Sequence, residues 1–251
     1  GHYFADPIIV DGSVIYGTSE GRVFSRRIYD GKLNYEVVVG EPVESSPVHS
    51  NGRLFFHLRN HQVFCLDVKT GKTLWSYKKS IANGTTLQSS STPVVHKNYV
   101  LVGFADGSLS SLRIETGELR WEQVIGAGKK FNDVDTSPII VGDKVYAYAD
   151  GQQLIVVDIN NGVIKNRLDY FPTSDLFASK THVYFGDNNG RVFEISKTTG
   201  TISVVNTQGS TKIKFVRPWK NGVVTFDDKG EISHFLLENT KINKMSKDLD
   251  K

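Results

Sequence analysis

The chain has 251 residues, 39% hydrophobic and 23% charged, with a formal net charge of +3, an ordinary globular composition that is long enough to enclose a core. So slight a charge gives no warrant for nucleic-acid binding, which usually calls for a strongly basic face. The one cysteine, Cys65, excludes an intrachain disulfide and a zinc site built on paired thiolates, and apolar stretches such as 99–105 fall far short of the roughly 20 residues of a membrane-spanning helix.

Three marks recur along the chain in the same order. The first copy opens on Asp6-Pro7-Ile8-Ile9-Val10, turns at Glu20-Gly21 and turns again at Asp30-Gly31-Lys32. The second repeats this as Ser46-Pro47-Val48, Asn60-His61 and Thr70-Gly71-Lys72-Thr73-Leu74-Trp75, and the third as Thr92-Pro93-Val94-Val95, Asp106-Gly107 and Thr116-Gly117-Glu118-Leu119-Arg120-Trp121. The fourth has Ser137-Pro138-Ile139-Ile140-Val141, Asp150-Gly151 and Asn161-Gly162-Val163. Leu176-Phe177, Asn189-Gly190 and Thr199-Gly200-Thr201 make the fifth; Pro218-Trp219, Lys229-Gly230 and Glu238-Asn239-Thr240 the sixth. From one last turn to the next the steps are 40, 46, 45, 38 and 39 residues.

Each copy reads as four short strands, rich in Val, Ile, Tyr and Phe and bounded by Asp-Gly or Asn-Gly pairs, the strongest short hairpin signal. In the fourth copy these are Ile139 to Val141, Lys144 to Tyr148, Leu154 to Ile159 and the stretch after Gly162. A four-stranded unit of this length, repeated without any helical period, predicts an all-β fold: a β-propeller of about six four-stranded antiparallel blades. The expected blades are 1–41, 42–89, 90–134, 135–172, 173–213 and 214–251, forming one domain.

The run Leu66-Asp67-Val68-Lys69-Thr70-Gly71-Lys72-Thr73-Leu74-Trp75 resembles the PQQ-like propeller repeat, and 114–121 follows it nearly as well. Tyr35, Asn166 and Val204 stand where the repeat expects tryptophan. Two groups share this repeat: quinone-dependent periplasmic dehydrogenases and the non-catalytic BamB-type assembly factors. The enzymes are longer and often carry a vicinal cysteine pair that this chain lacks, so the resemblance is to the BamB-type group. It implies a scaffold in outer-membrane β-barrel assembly without a cofactor, placed in the periplasm, with the periplasmic domains of a barrel-assembly protein as partner. BamB itself typically has eight blades, so six copies imply a divergent or a shortened relative. The alternatives are a quinoprotein-like dehydrogenase and a ligand-sensing propeller. The chain opens Gly1-His2-Tyr3 and its only methionine is Met245, so a leader with a lipid anchor is left open.

No catalytic or metal-ligating set emerges. His57 and His61 have the spacing of two ligands on a helix, but they lie on a strand and its hairpin, and His61 fills the column of Gly21, Gly107, Gly190 and Gly230. His61 is therefore expected to be a turn residue with positive φ. Cys65 shares its column with Ser25, Ser111, Val156, Glu194 and His234 and reads as a space filler. The segment 126–130 departs from a phosphate loop at Gln123 and Lys130, Asn83-Gly84-Thr85 reads as a turn rather than a glycosylation site, and Asp133, Asp135, Asp227 and Asp228 read as solvated turn formers. Trp75 and Trp121 are expected between blades, and Trp219, aligned with Ile8, Val48, Val94, Ile139 and Phe177, in the core.

The longest irregular segments, 78–91, 122–136 and 206–214, fall on the propeller face that also receives the turns at Arg59-Asn60-His61 and at 188–191. Binding residues concentrate on loops carried by a rigid scaffold. The candidate partner-binding residues are Arg59, His61, Lys129, Lys130, Phe131 and Arg191, with Lys78, Lys79, Lys212 and Lys214 as further rim lysines.

Overall fold

The computed structural model describes residues 5–81, 91–126, 133–134, 136–206, 211–236 and 242–244. Among them lie 24 strands in six four-stranded antiparallel sheets, each a simple meander. The chain divides into two compact units, one of residues 1–138 with 159–163, the other of residues 139–158 with 164–251.

The first unit holds three sheets. Sheet one comprises β1 (Ile8–Val10), β2 (Ser13–Gly17), β3 (Arg22–Arg27) and β4 (Leu33–Val38). Sheet two is β5 (Val48–Ser50), β6 (Arg53–His57), β7 (Gln62–Asp67) and β8 (Thr73–Lys78), and sheet three is β9 (Val94–His96), β10 (Tyr99–Gly103), β11 (Ser108–Arg113) and β12 (Leu119–Val124). In the second unit, sheet four is β13 (Ile139–Val141), β14 (Lys144–Ala147), β15 (Leu154–Asp158) and β16 (Ile164–Leu168). Sheet five is β17 (Phe177–Ala178), β18 (His182–Gly186), β19 (Val192–Ser196) and β20 (Ile202–Asn206), and sheet six is β21 (Ile213–Trp219), β22 (Gly222–Asp227), β23 (Ile232–Leu236) and β24 (Ile242–Lys244). Six four-stranded antiparallel sheets is the number the repeat leads one to expect. The middle strands of most sheets are buried on both faces and the fourth strands are largely exposed, which is why the alternation is clearest at the outer edge.

The turns follow the glycines. Gly31, Gly71, Gly117, Gly162 and Gly200, in the turns between third and fourth strands, all have φ between +70° and +77°, a conformation that costs other residues a Cβ clash. The glycine is needed a second time, for space. A Cβ on Gly71 would lie 2.6 Å from the Tyr35 ring, one on Gly117 2.5 Å from Trp75, and one on Gly162 2.7 Å from Trp121. Tyr35 Oη donates to the Val68 carbonyl (3.1 Å), Trp75 Nε1 to that of Ile114 (2.9 Å) and Trp121 Nε1 to that of Ile159 (3.0 Å). An aromatic on each fourth strand thus packs on the turn glycine of the next repeat and satisfies its own polar tip there. A β-bulge just before each of these aromatics, at Asn34, Leu74 and Arg120, is repeated three times in this unit. In the second unit Asn166 takes the aromatic's place, and a Cβ on Gly200 would meet only the tips of Tyr146 and Lys144, at 3.8 and 3.9 Å.

Trp219 is not a core residue. It is 56% exposed, and the register puts Arg217, paired with Val224, in the column of Ile139 and Phe177. β21 has seven residues where the other first strands have two or three, so counting from the proline misplaces the column by two. Arg217 lies over the rings of Phe215 and Phe177 at 4.2 and 4.9 Å.

Candidate functional site

In the first unit, the end of each fourth strand is tied to the hairpin between the second and third. The amides of Val39, Lys79 and Ile125 donate to the carbonyls of Gly21, His61 and Gly107 at 3.2 Å or less. This brings the outgoing segment of sheet two beside the turn that carries Arg59 and His61, and that of sheet three beside Gly107.

Lys79 is the residue at the centre of this face. It stands in the column of two aliphatic residues, Val39 and buried Ile125, and is itself only 8% exposed. Its ammonium is 3.0 Å from Asp106 Oδ2, donates to Ser108 Oγ at 2.7 Å and pairs with Glu122. The Phe104 ring lies 5.4 Å from the same nitrogen. Ser108 Oγ donates in turn to Asp106 Oδ1 (2.6 Å), and Ser110 Oγ to Glu122 Oε2 (2.9 Å). A buried ammonium is tolerated only when paired and fully hydrogen-bonded, and two carboxylates and a hydroxyl do that here. Lys79 is therefore a tie between sheets two and three rather than a rim lysine. Comparing copies column by column would have found it: a lysine stands where its counterparts are aliphatic.

His57 lies beneath. It ends β6 in the column where β2, β10 and β18 end in Gly17, Gly103 and Gly186. A Cβ on those glycines would lie 2.3 Å from the Val43 side chain, the Val134 carbonyl oxygen and the Ile213 side chain respectively. Imidazole fills that space in sheet two. His57 is 1% exposed, edge-on to Phe104 at 5.0 Å, with Nδ1 3.1 Å from the Ser91 carbonyl. A carbonyl only accepts, so Nδ1 carries the proton; Nε2 has no partner among the described residues. Burial pulls the His57 pKa down to about 4, against the Ser91 hydrogen bond, which works the other way.

His61 has φ +62°, the turn geometry expected of it. Burial lowers its pKa, opposed by Asp106, Asp133 and Glu44 and assisted by Lys79. Arg59, 53% exposed at its side chain, pairs through Nε with Glu44 at 2.5 Å. In the second unit Arg191 holds Asp187 Oδ2 through Nε (2.7 Å) and a terminal nitrogen (2.6 Å) and lies over Phe193 at 5.2 Å. Lys129, Lys130 and Phe131, like Asp135, Asn83 and most of the glycine-rich 126–130 segment, lie outside the described residues. Lys78 and Lys214 are exposed and Lys212 is half-buried.

Two chemical expectations are refined. Asp227 forms its turn while buried, not solvated: it accepts from Thr211 Oγ1 and from the amides of Lys229 and Glu231. Burial alone would raise its pKa, but these hydrogen bonds hold it below the usual carboxylate range. Cys65 is fully buried, and burial pushes its thiol up to about 12, far from the thiolate a nucleophile or metal ligand requires. Among the described residues no three His, Cys, Asp or Glu side chains converge as a metal-binding group, and no helix is long and apolar enough to cross a membrane.

Residues 2–205 match the family model of the outer membrane protein assembly factor BamB. The chain is 28% identical over 200 residues to the BamB of Yersinia pestis, covering 77% of this chain and 51% of that protein; it spans about half the length of the curated relatives it matches. Among solved structures, BamB from Moraxella catarrhalis superposes with a TM-score of 0.79 at 19% identity, over 96% of this chain and 76% of that one. The computationally designed Ika8 protein gives 0.72 at 19% identity, over 93% and 70%. At such identities the likeness carries the fold, a β-propeller.

Proposed function

The chain belongs to the family of the outer membrane protein assembly factor BamB, and we propose that it serves as a non-catalytic scaffold in outer-membrane β-barrel protein assembly. The family match over 2–205 is the observation that carries this reading. The chemistry of the described residues supports it. The one thiol is buried and protonated, and the central lysine is committed to Asp106, Glu122 and Ser108.

The protein works in the periplasm, and its partner is a periplasmic domain of a barrel-assembly protein. That partner binds through the candidate residues Arg59, His61, Lys129, Lys130, Phe131 and Arg191, of which Arg59 and His61 share the turn beside the outgoing end of β8. Such a surface needs little chemistry of its own but a fixed backbone, which the Lys79 tie provides beside Arg59 and His61. Capture of the purified periplasmic domains of the barrel-assembly protein by immobilised chain tests the reading. Saturable binding weakened by Arg59→Glu supports it; binding unaffected by reversal of every named residue would overturn the face.

A further inference from the structure

An interblade groove stands open in the first unit. Between sheets one and two, Val10, Asp11, Ser13, Ser25, Arg27, Leu33 and Asn34 face Val68 and Lys69 across a cleft of about 580 Å³, within the range of about 300–1,000 Å³ typical of small-molecule sites. The cause is a single column. Ser13, opposite Val10 and Arg27, corresponds by register to Arg53, Tyr99, Lys144 and His182 in the next four sheets. In the sixth the column holds Gly222, whose Cβ position is crowded by the Phe235 carbonyl and the His234 ring.

What the large residue does is visible in the next groove. Arg53 reaches from sheet two to pair with Glu115 in the sheet-three turn. In the open groove both members of that pair are replaced. Ser13 is too short to cross, and Lys69 stands in the place of Glu115. Instead Asn34 Nδ2 donates to Ser13 Oγ (2.9 Å) and Ser25 Oγ (3.1 Å), leaving a polar floor. Arg27 is held by Asp30 at 2.8 Å and by Tyr29 Oη, Asp11 adds one negative charge at the rim, and Lys69 makes no ion pair among the described residues.

We propose that this groove binds a small polyhydroxylated carboxylate, the size of a sugar acid. Lys69 takes the carboxylate, in mirror image of the Glu115 contact one groove on. The Ser13, Ser25 and Asn34 groups exchange hydrogen bonds with ligand hydroxyls, and Val10, Leu33 and Val68 meet the C–H face of the ring. Nothing in this requires the assembly role, because the groove opens beside the turns between third and fourth strands, opposite the proposed partner face.

The test is a titration of the full chain, isotopically labelled, with D-glucuronate, with D-glucose as the neutral control. Glucuronate added to about 10 mM, enough to saturate a site with a Kd near 1 mM, should shift the amides of Ser13, Asn34 and Lys69. Ser13→Arg, which restores the side chain of the neighbouring groove, should abolish the shifts, and Lys69→Gln should weaken binding about tenfold or more. Lys72→Gln, on the same turn but outside the cleft, should leave it unchanged. Absence of shifts with glucuronate, equal binding of glucose, or binding that survives Ser13→Arg would each overturn the proposal. Unchanged thermal melting of the variants separates loss of the site from loss of the fold.

Discussion

Trp75 donates its indole N–H to the Ile114 carbonyl at 2.9 Å while its ring covers the face of Gly117 that a Cβ would occupy. One side chain thus settles both a polar group and a packing contact between two sheets. Gly117 and Gly31 have nearly the same φ, +74° and +70°, but Gly31 has open space around it. Gly31→Ala should therefore cost only the left-handed strain, about 1 kcal/mol. Gly117→Ala carries that strain and a clash with the indole as well, and should cost about 2–3 kcal/mol more, in the range of overpacked cores. Urea denaturation of the two variants measures the difference. Equal losses would mean the indole yields freely and the contact fixes nothing.

Lys79 gives the second prediction. Its carboxylate partners Asp106 and Glu122 are about a third exposed, so the full penalty of breaking a buried pair, roughly 3–5 kcal/mol, is reduced by solvent. Lys79→Met should destabilise by about 2 kcal/mol, and Lys78→Met, at an exposed neighbour, by less than about 0.5 kcal/mol. A Lys79→Met protein as stable as its parent would show that the tie holds nothing together.

These two sites mark what the sequence discloses. The Trp75 column and the His61 turn were legible because a repeat shows each position six times over and turn stereochemistry is local. The role of Lys79 was not, since its burial depends on Asp106 and Glu122, 27 and 43 residues further along. Trp219 was misplaced because pairing register, not distance from a proline, sets a strand column. The groove beside Ser13 was likewise illegible: only the register shows that a serine there stands in the column of Arg53, which crosses to the next sheet.

His57 makes stability depend on pH. The unfolded chain takes up a proton on this residue near pH 6.5, whereas the folded one resists it until about pH 4. Between these values the unfolded state binds more protons, so stability is fully present above 6.5 and lost as pH falls through the window. The expected loss is roughly 3 kcal/mol by pH 4. His61, also lowered, acts in the same direction, so the comparison with His57→Gln isolates the effect. Denaturation at pH 7 and pH 4.5 should show a smaller acid loss in the variant. An identical loss in both proteins would mean that His57 is solvated or already charged.

The proposed partner face supplies the last prediction. Rim charges act chiefly on association rate and its salt dependence, and contribute little to folding. Reversing Lys129 and Lys130 to Glu should weaken capture of the periplasmic partner, most at low salt, with little change in melting. Phe131→Ala should instead speed dissociation, as loss of a central aromatic anchor does. Arg59→Glu tests the same face from the described side, where the released Glu44 adds to the reversal. Lys32 and Lys72, exposed in the turns between third and fourth strands, provide the control at the opposite end of the strands. If reversing them weakens capture as much as reversing Lys129 and Lys130, the partner does not bind where the fourth strands leave their sheets. If neither pair matters while Arg59→Glu does, the hairpin turns alone carry the contact and the long connections are spacers.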